Sequence, residues 1–475
     1  MSSLWSRTAG LSTHPPLKGD LQADAAVIGA GLAGVLIARE LSALGLHTVV
    51  LEASTTGSGQ TKNTTAKITA QHGLIYHRLL EQFGADPARQ YARANQQAVE
   101  QYRRTVRDSG IDCDFMDCPA YLYSRSELAP LEREAAAYRK LGLDGALTRT
   151  TSLPFPVAGA LRMEHQAMFH PLKFLSVVSQ GLEIYEHTPV LAVRGEQLAT
   201  PRGRVTASHV VFATHYPFVN FPGLYFTRMH QERSYVAAVK GAPQLDGIYY
   251  GIDPGGLSFR NAGDLLLVSG GSHRTGKNRQ GGQYRMLEAR SRELWPGCTV
   301  ETLWSAQDCM TLDGVPYIGP FSPTRPQWYV ATGFQKWGMS SSMVAANIIA
   351  DAVQGTEHPF APVFSPRRFS WKAARTLVME GGESVKNLTK AALGRPELEL
   401  DELPPGHGAI VSWQGKKLGA YRDPAGQIHL VDPRCPHMGC QLSWNPEELS
   451  WDCPCHGSRF HYDGSLINNP AQTGL

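Results

Sequence analysis

A glycine motif near the amino end limits most strongly what this chain can fold into. The segment GAGLAG follows a predicted buried strand over residues 23–29 and opens a predicted helix over residues 31–44. A second predicted strand, residues 47–53, carries the acidic residue Glu52 near its end. The motif glycines are Gly29, Gly31 and Gly34. They permit a tight turn, close approach of a pyrophosphate and packing of helix on strand, while the acid can bind ribose hydroxyls. The segment predicts a dinucleotide site, and the motif alone leaves FAD and NAD open.

Length and composition predict a globular protein of several domains. The chain has 475 residues, of which 42% are hydrophobic and 18% charged, and domains usually have roughly 100–200 residues. The formal net charge of +3 is too small to attract nucleic acid. The longest apolar run, residues 25–38, is too short to cross a bilayer, and no export signal is visible at the amino end. We therefore expect a cytoplasmic protein that binds no nucleic acid and has no membrane span.

The pattern that follows the glycine motif predicts an insertion in the first domain. Residues 87–143 have a helical and charged pattern, and strand-like segments return at 182–193 and 205–214. A buried strand at 328–333 and a helix at 340–353 are the predicted closing elements. The predicted fold class is α/β: a Rossmann-like domain with an inserted α+β substrate lobe, followed by a small all-β domain.

These changes along the chain predict three segments. Residues 1–364 form the nucleotide-binding domain with its inserted lobe, residues 365–395 a linker of two short amphipathic helices, and residues 396–475 a small all-β domain. The linker is rich in basic residues, which we interpret as a solvated surface. A helix that lies on a membrane surface is the alternative.

Four further segments resemble the D-amino-acid oxidase/glycine oxidase/sarcosine oxidase superfamily of flavoproteins. They are TKNTTAKITAQHGLIY (61–76), VTASHVVFATH (205–215), WSAQDCMTLDGVPYIG (304–319) and WYVATGFQKWGM (328–339). The resemblance implies that the nucleotide is FAD. His215 departs from the family pattern, which has a glycine at this position.

The same resemblance implies a set of cofactor contacts. It brings the late strand and helix to the flavin end, where a helix N-terminus can stabilise charge on the reduced ring. The residues expected to bind FAD are Gly29, Gly31, Gly34, Glu52, Thr65, Lys67, Val190, Asp313, Gly333, Phe334, Gly338 and Met339.

Candidate catalytic residues follow from the same comparison. Lys336 and Trp337 stand in the turn that is expected to adjoin the flavin, and Arg260 and His273 follow strands that line the substrate lobe in relatives. A cation such as Arg260 or Arg274 can pair with a substrate carboxylate. Ordinary structural ion pairs are the alternative for the residues of the lobe.

Cysteine and histidine residues near the carboxyl end form a metal-ligand pattern. Cys-x-His is followed, after fifteen intervening residues, by Cys-x-x-His, so two loops each offer one thiolate and one imidazole. A Rieske [2Fe–2S] cluster needs two cysteines on one iron and two histidines on the other. A zinc site with mixed ligands is the alternative. The candidate ligands are Cys435, His437, Cys453 and His456.

Both loops closely resemble Rieske domains, and this resemblance implies further features. Cys440 and Cys455 occupy the positions that form a disulfide between the loops in quinol-oxidising Rieske proteins. Ser458 matches a serine that hydrogen-bonds a cluster sulfide, and Phe460 stands where the members of highest potential carry a tyrosine.

A flavin and an iron–sulfur cluster in one chain predict conversion of two-electron into one-electron transfer. The resemblance implies oxidation of a C–N bond in a small-molecule amine or amino acid. Electrons then leave through the cluster to a one-electron acceptor such as a quinone, cytochrome or ferredoxin, which makes the enzyme a dehydrogenase. The alternatives are an oxidase that uses O₂ and has a structural or regulatory cluster, and a reductase fed by NAD(P)H. A Rieske oxygenase with mononuclear iron at His165 and His170 is a further alternative.

Overall fold

The computed structural model of the chain describes residues 2–368, 396 and 398–475. Most of the predicted linker, residues 369–395, therefore lies outside the described residues. In the described part, no helix has the length and apolar character needed to cross a membrane. Its helices are α1 Leu4–Thr8, α2 Leu32–Ala43, α3 Tyr76–Phe83, α4 Ala85–Asp108, α5 Ala129–Leu141, α6 Pro171–Val178, α7 Gln283–Leu294, α8 Gly338–Val353 and α9 Ala361–Phe364, with 3₁₀ turns at Gln60–Asn63, Tyr225–Thr227 and Leu400–Glu402.

The strands fall into two large sheets and two small ones. Those of the large sheets are β1 Leu21–Ile28, β2 Thr48–Leu51, β3 Lys67–Ile68, β4 Met116–Ser124, β5 Ala146–Thr148, β6 Gly159–Met168, β7 Glu183–Tyr185, β8 Ala192–Arg194, β9 Gln197–Thr200, β10 Gly203–Phe212, β11 Met229–Lys240, β12 Ile248–Gly251, β13 Ser258–Ala262, β14 Leu265–Arg274, β15 Thr299–Thr311, β16 Tyr317–Ser322 and β17 Arg325–Thr332. Those of the small sheets are β18 Leu398–Glu399, β19 His407–Trp413, β20 Lys416–Arg422, β21 Ile428–Val431, β22 Ser443–Asn445, β23 Ser450–Asp452, β24 Arg459–His461 and β25 Leu466–Asn468.

An eight-stranded sheet forms the nucleotide-binding core. Its main path runs β16-β17-β10-β1-β2-β7, with β9 paired to β10 and β8 paired to β9. β1 is parallel to β2 and β10, and the late strand β17 is parallel to β10. Helices cover such a sheet on both faces, so all four residues of β2 are buried, and three of them are apolar. This is the predicted Rossmann-like arrangement, and the α/β fold class is confirmed.

A nine-stranded sheet forms the inserted lobe, in the order β15-β11-β14-β13-β12-β4-β6-β3 with β5 on β6. The helical pattern predicted over residues 87–143 is wrong in its middle. There β4 separates α4 from α5 and pairs with β6 and β12. Its apolar residues Ala120–Tyr123 are buried, so the sheet gains a strand where charged helices flank it on both sides.

The two faces of the nine-stranded sheet pack against different partners. The inner face carries Val236, Leu267 and Trp304, which share one hydrophobic core with α2 and α8. The outer face carries Tyr235 and Phe259, which pack with residues of α7 in a separate core. Because side chains alternate along each strand, neighbouring residues of β11 and β15 face opposite sides.

The carboxyl end forms two small sheets, antiparallel except for one short strand, as expected for an all-β domain. Their orders are β18-β19-β20-β21 and β22-β23-β24-β25, with β18 parallel to β19. Two loops carry the cysteine and histidine pattern. The first, residues 432–442, joins β21 to β22, and the second, residues 453–458, joins β23 to β24.

Candidate functional site

The glycine motif forms a cradle that side chains would fill. Gly29 has a φ of 105°, and a Cβ there would lie 2.7 Å from the carbonyl oxygen of Ala213. A Cβ on Gly34 would collide with the carbonyl oxygen of Gly29, and a Cβ on Gly31 would lie 3.3 Å from Oγ1 of Thr61. α2 starts directly after this turn, with Gly31 as its N-cap. The backbone is therefore open where a pyrophosphate contacts a helix N-terminus, which fits FAD.

Glu52 lies beside the cradle and is tied to the same turn. Its carboxylate accepts hydrogen bonds of 2.8 Å from the amides of Ala30 and Ser54. Burial raises its pKa above the ordinary value despite these bonds. The acid thus fixes the turn, and its role toward ribose stays a prediction.

The turn between β17 and α8 brings together several of the predicted flavin-end and catalytic residues. Gly333 has a φ of 70° and lies against Thr311, and Gly338 starts α8. The ring of Trp337 stacks on His72 with 4.8 Å between ring centroids and lies 5.4 Å from that of Tyr250. Phe334, Gly338 and Met339 belong to the same turn and the first residues of α8.

Lys336 lies between two carboxylates on the inner face of the inserted lobe. Its Nζ is 3.0 Å from Asp308 and 3.4 Å from Glu232, which are paired across β11 and β15. Burial lowers its pKa, but Asp308 and Glu232 outweigh burial and raise it well above the ordinary value. The imidazole of His230, whose Nε2 lies 3.6 Å from Glu232, and the charge of Lys336 lower the pKa of Glu232 to about 2. Lys336 is therefore a stable ammonium ion that cannot take up a proton.

Lys67 and Arg260 lie close together in the buried part of the inner face. Burial and the charge of Arg260 lower the pKa of Lys67 to about 7, and its Nζ contacts the hydroxyl of Ser258. Arg260 is 3% exposed and donates to the carbonyl oxygens of Thr65, Ala66 and Phe169, at 2.7–3.1 Å. Arg260 therefore holds the segment that carries Thr65 and Lys67, and its catalytic role stays a prediction.

Three further predicted residues lie elsewhere. The carboxylate of Asp313 is buried and accepts from Arg368, Thr311 and the amide of Val315, so it anchors the end of the first domain, and its contact with FAD stays a prediction. His273 contacts Tyr235, on the outer face, and is thereby separated from Lys336. The carbonyl oxygen of Val190 accepts a 3.2 Å bond from Gln472 of the carboxyl-terminal domain.

The histidines proposed for mononuclear iron do not come together as ligands. His170 caps α6, with Nδ1 accepting from the amide of Lys173 and Nε2 bonded to Thr8. His165 is exposed in β6. This geometry contradicts the oxygenase alternative.

The two carboxyl-terminal loops bring the four predicted metal ligands together. The rings of His437 and His456 lie 5.0 Å apart, and Nδ1 of each is buried without a hydrogen-bond partner. The thiols of Cys435 and Cys453 contact each other, which lowers the pKa of Cys435 to about 7. Backbone amides of His437 and Met438 point at the sulfur of Cys435, and those of Cys455 and His456 at that of Cys453. The site thus offers two buried imidazole nitrogens without a hydrogen-bond partner and two thiols whose sulfur atoms face backbone amides. This donor set fits a [2Fe–2S] cluster.

The remaining two cysteines of the pattern form the expected disulfide. Cys440 and Cys455 are joined and buried. The bond ties the first loop to the second and removes two thiols from any metal site. Two thiols and two imidazoles are left, which is the Rieske ligand set. Oγ of Ser458 lies beside Cys435 and accepts from the amide of Ala471, and Phe460 is buried in the domain core.

Several residues that sequence reasoning missed connect the ligand loops to the first domain. Nε2 of His437 lies 2.7 Å from Oδ1 of Asn220. The carbonyl oxygen of His456 accepts from Gln231, and that of Gly457 accepts from Gln307. No local motif marks these residues, since each partner is more than a hundred positions away along the chain.

His215, the departure from the flavoprotein pattern, lies next to this connection. It adopts a φ of 64°, which explains why glycine is usual at this position. Burial lowers its pKa to about 4, and it lies beside Gln231. The imidazole is thus neutral, and it lies beside a residue that contacts the second ligand loop.

Comparison with protein-family models gives two matches. Residues 24–352 match the family described as FAD dependent oxidoreductase, and residues 396–475 match the Rieske [2Fe-2S] domain.

Individual proteins give a consistent result. The chain is 37% identical to the Rieske 2Fe-2S iron-sulfur protein YhfW of Bacillus subtilis (strain 168), over 98% of this chain and 95% of that one. It is 22% identical to gamma-glutamylputrescine oxidoreductase of Escherichia coli (strain K12), over 76% and 90% of the two chains. Among solved structures, glycine oxidase from Geobacillus kaustophilus has a TM-score of 0.62 at 20% identity and covers 74% of this chain and 99% of its own.

The first prediction concerns the metal. The purified protein should contain iron and acid-labile sulfide in equal amounts with little zinc, and should give a Rieske electron paramagnetic resonance signal. His437→Ala should abolish this signal but leave the flavin absorbance intact, because the cradle lies in the other domain. His461→Ala, which changes an exposed histidine of the same domain, is the control. Stoichiometric zinc would contradict the assignment.

The second prediction concerns Arg368 and Asp313. Arg368→Met leaves the Asp313 carboxylate buried without its cation, which should cost about 3–5 kcal/mol of stability. Asp313 has a lowered pKa because Arg368 outweighs burial. The loss should therefore be full at neutral pH and shrink in acid, where the unpaired carboxylate becomes protonated. Thermal unfolding at several pH values measures it. Arg290→Met, which breaks an exposed pair with Glu293, should shift the midpoint little.

Proposed function

Because this chain belongs to the FAD-dependent oxidoreductase family and carries a Rieske [2Fe-2S] domain at residues 396–475, we propose that it oxidises a C–N bond of an amine or amino acid and delivers the electrons singly to an acceptor through the cluster. When bound, FAD accepts a hydride and the cluster carries one electron at a time. A quinone, a cytochrome and a ferredoxin are the proposed acceptor classes.

The observation that carries this proposal is that the Lys336 group and the second ligand loop lie on opposite faces of the same two strands. These strands, β11 and β15, are called the β11–β15 ribbon below. Glu232 and Asp308 point from β11 and β15 to the inner face, toward Lys336. Gln231 and Gln307, their direct neighbours, point to the other face and bind the second ligand loop. One ribbon thus separates the predicted substrate site from the cluster ligands, which supports electron transfer within the chain.

The charges on the inner face support an amine as substrate. Asp308 and Glu232 together carry two negative charges, and Lys336 carries one positive charge. The group has an excess negative charge in a half-buried position, where it can bind and orient a substrate ammonium group. The positive charge of Lys336 offsets part of this negative charge, so the substrate ammonium group is held less tightly. This matters because the ammonium group must lose a proton before the substrate can donate a hydride. The names of the relatives, an oxidoreductase of gamma-glutamylputrescine and a glycine oxidase, agree with this substrate class.

A third prediction tests the function itself. Under argon, members of a panel of secondary amines, polyamines, N-methyl amino acids and D-amino acids should bleach the flavin of the wild type and then reduce its cluster. In His456→Ala the same compound should still bleach the flavin, but reduction of the one-electron acceptor ferricyanide should be slowed. Bleaching by NADH alone would contradict the proposal in favour of a reductase. Undiminished peroxide formation in His456→Ala would favour an oxidase.

A fourth prediction concerns Lys336. Lys336→Met should slow flavin reduction by the amine roughly tenfold or more, about 1.4 kcal/mol in the barrier, because two half-buried carboxylates lose their shared cation. FAD content should not change. Lys336→Arg keeps the charge and should retain most of the rate. Stopped-flow absorbance of the flavin measures all three proteins, and an unchanged rate in Lys336→Met would remove Lys336 from the mechanism.

A further inference from the structure

Two glutamine side chains are buried between the inserted lobe and the ligand loops. Gln231 and Gln307 are each 1% exposed. Nε2 of Gln231 donates to the carbonyl oxygens of His456 at 2.6 Å and Asn469 at 3.2 Å. Nε2 of Gln307 donates to Oε1 of Gln231 at 2.6 Å and to the carbonyl oxygen of Gly457 at 2.9 Å. The two amides therefore act as one unit that binds the backbone of the second ligand loop.

The loop is shaped for this contact. Gly457 has a φ of 84°, and a Cβ there would lie 2.6 Å from Cβ of Gln231. Glycine is thus required both by the backbone conformation and by the approach of the loop to β11. The glycine that follows the ligand His456 lets the loop reach the ribbon directly.

The glutamine pair is also connected to the nucleotide-binding turn. The backbone amide of Gln307 donates to Oε1 of Gln60 at 2.8 Å. The neighbouring Thr61 accepts from the amide of Leu32, in the first turn of α2, at 2.9 Å. A continuous set of short contacts therefore runs from the cradle to the ligand loop.

Charged and polar groups surround the pair on the same surface. Glu448 forms buried ion pairs with Arg233 of β11 and with Arg459. Burial raises the pKa of Glu448, but the two arginines outweigh it and lower the pKa to about 2. Nδ2 of Asn469 donates to the carbonyl oxygens of Thr214 and Tyr216 at 2.7 Å. These groups give the interface fixed polar partners on both sides of the glutamines.

We propose that Gln231 and Gln307 are positioning residues that keep the His456 loop docked on the β11–β15 ribbon during turnover. The carboxyl-terminal domain then needs no movement to receive electrons. This inference rests on the proposed direction of electron flow, in which one electron leaves the reduced flavin and one ferric ion of the cluster becomes ferrous. A freely moving domain could not retain buried amide contacts with the backbone beside a cluster ligand.

The experiment compares the full-length wild type with the double variant Gln231→Leu/Gln307→Leu, which keeps the side-chain size and removes the amides. The flavin is reduced by light with EDTA under argon, so no substrate is needed, and the cluster signal is followed afterwards. In the wild type, the rate of cluster reduction should not depend on solvent viscosity. In the double variant it should fall at least tenfold and decrease further with added glycerol.

Two further readouts separate positioning from general damage. Amide hydrogen exchange at residues 456–458 and at Asn469 and Ala471, which flank Pro470, should increase in the double variant, while iron content and the paramagnetic signal of the reduced cluster should stay unchanged. Gln97→Leu, on the exposed side of α4, is the matched control and should behave as the wild type.

Three results would overturn the proposal: a viscosity-dependent rate in the wild type, wild-type transfer in the double variant, or unchanged exchange in its two segments. Failure of the proposed function gives a different pattern. In that case no amine bleaches the flavin, although hydrogen exchange still reports the docked loop.

Discussion

The contact between the second ligand loop and the β11–β15 ribbon is the constraint on which the arrangement of this molecule depends. It is made mainly by side-chain amides of the lobe and backbone carbonyl groups of the loop, including those of His456 and Gly457. Carbonyl groups buried in this way must find donors, since an unpaired buried carbonyl is costly. The loop that holds two of the four metal ligands is consequently fixed by the same atoms that close the interface.

The alternation of side chains along a strand gives this ribbon two functions. Residues at odd positions, such as Gln231, contact the cluster domain, whereas Glu232 and Asp308 contact Lys336 on the other side. A shift of register by one residue would exchange the two sets and destroy both sites. The pairing of β11 with β15 from Met229 to Lys240 therefore determines the chemistry of both faces. The two cations of the inner face have different kinds of partner. Arg260 binds carbonyl oxygens, whereas Lys336 forms ion pairs with carboxylates.

The features of the fold and the site that can be predicted from the sequence are those that depend on short segments of the chain. The turn around Gly29 and Gly34 needs only neighbouring backbone, and the ligand pattern from Cys435 to His456 needs two loops. The disulfide between Cys440 and Cys455 likewise involves only these two loops. The residue types of these segments predict a dinucleotide site and a mixed thiolate–imidazole metal site, and the resemblance to known families is what identifies FAD and predicts the disulfide.

Other features depend on pairing across the chain, which the sequence does not display. The sequence does not predict β4, because strong helical patterns flank its apolar residues. Its pairing with β6 and β12 is what makes it a strand. The residue type of Arg260 suits a substrate carboxylate, but the sequence does not show that the guanidinium binds the carbonyl oxygens of three residues that lie far from it along the chain. Gln231 and Asn220 carry no motif at all.

The docking contacts also bear on what the connecting segment has to do. Among the residues that the structure describes, the groups that join the domains include Asn469 with Thr214 and Glu448 with Arg233. A tether alone sets an upper limit on the distance between two sites, whereas buried hydrogen bonds set the distance itself. In the proposed function, electron transfer depends on the separation of the cofactors, and the buried contacts of the interface fix the distance between the two domains that would hold them. Insertions in the connection should then be tolerated far better than a single change at the glutamine pair.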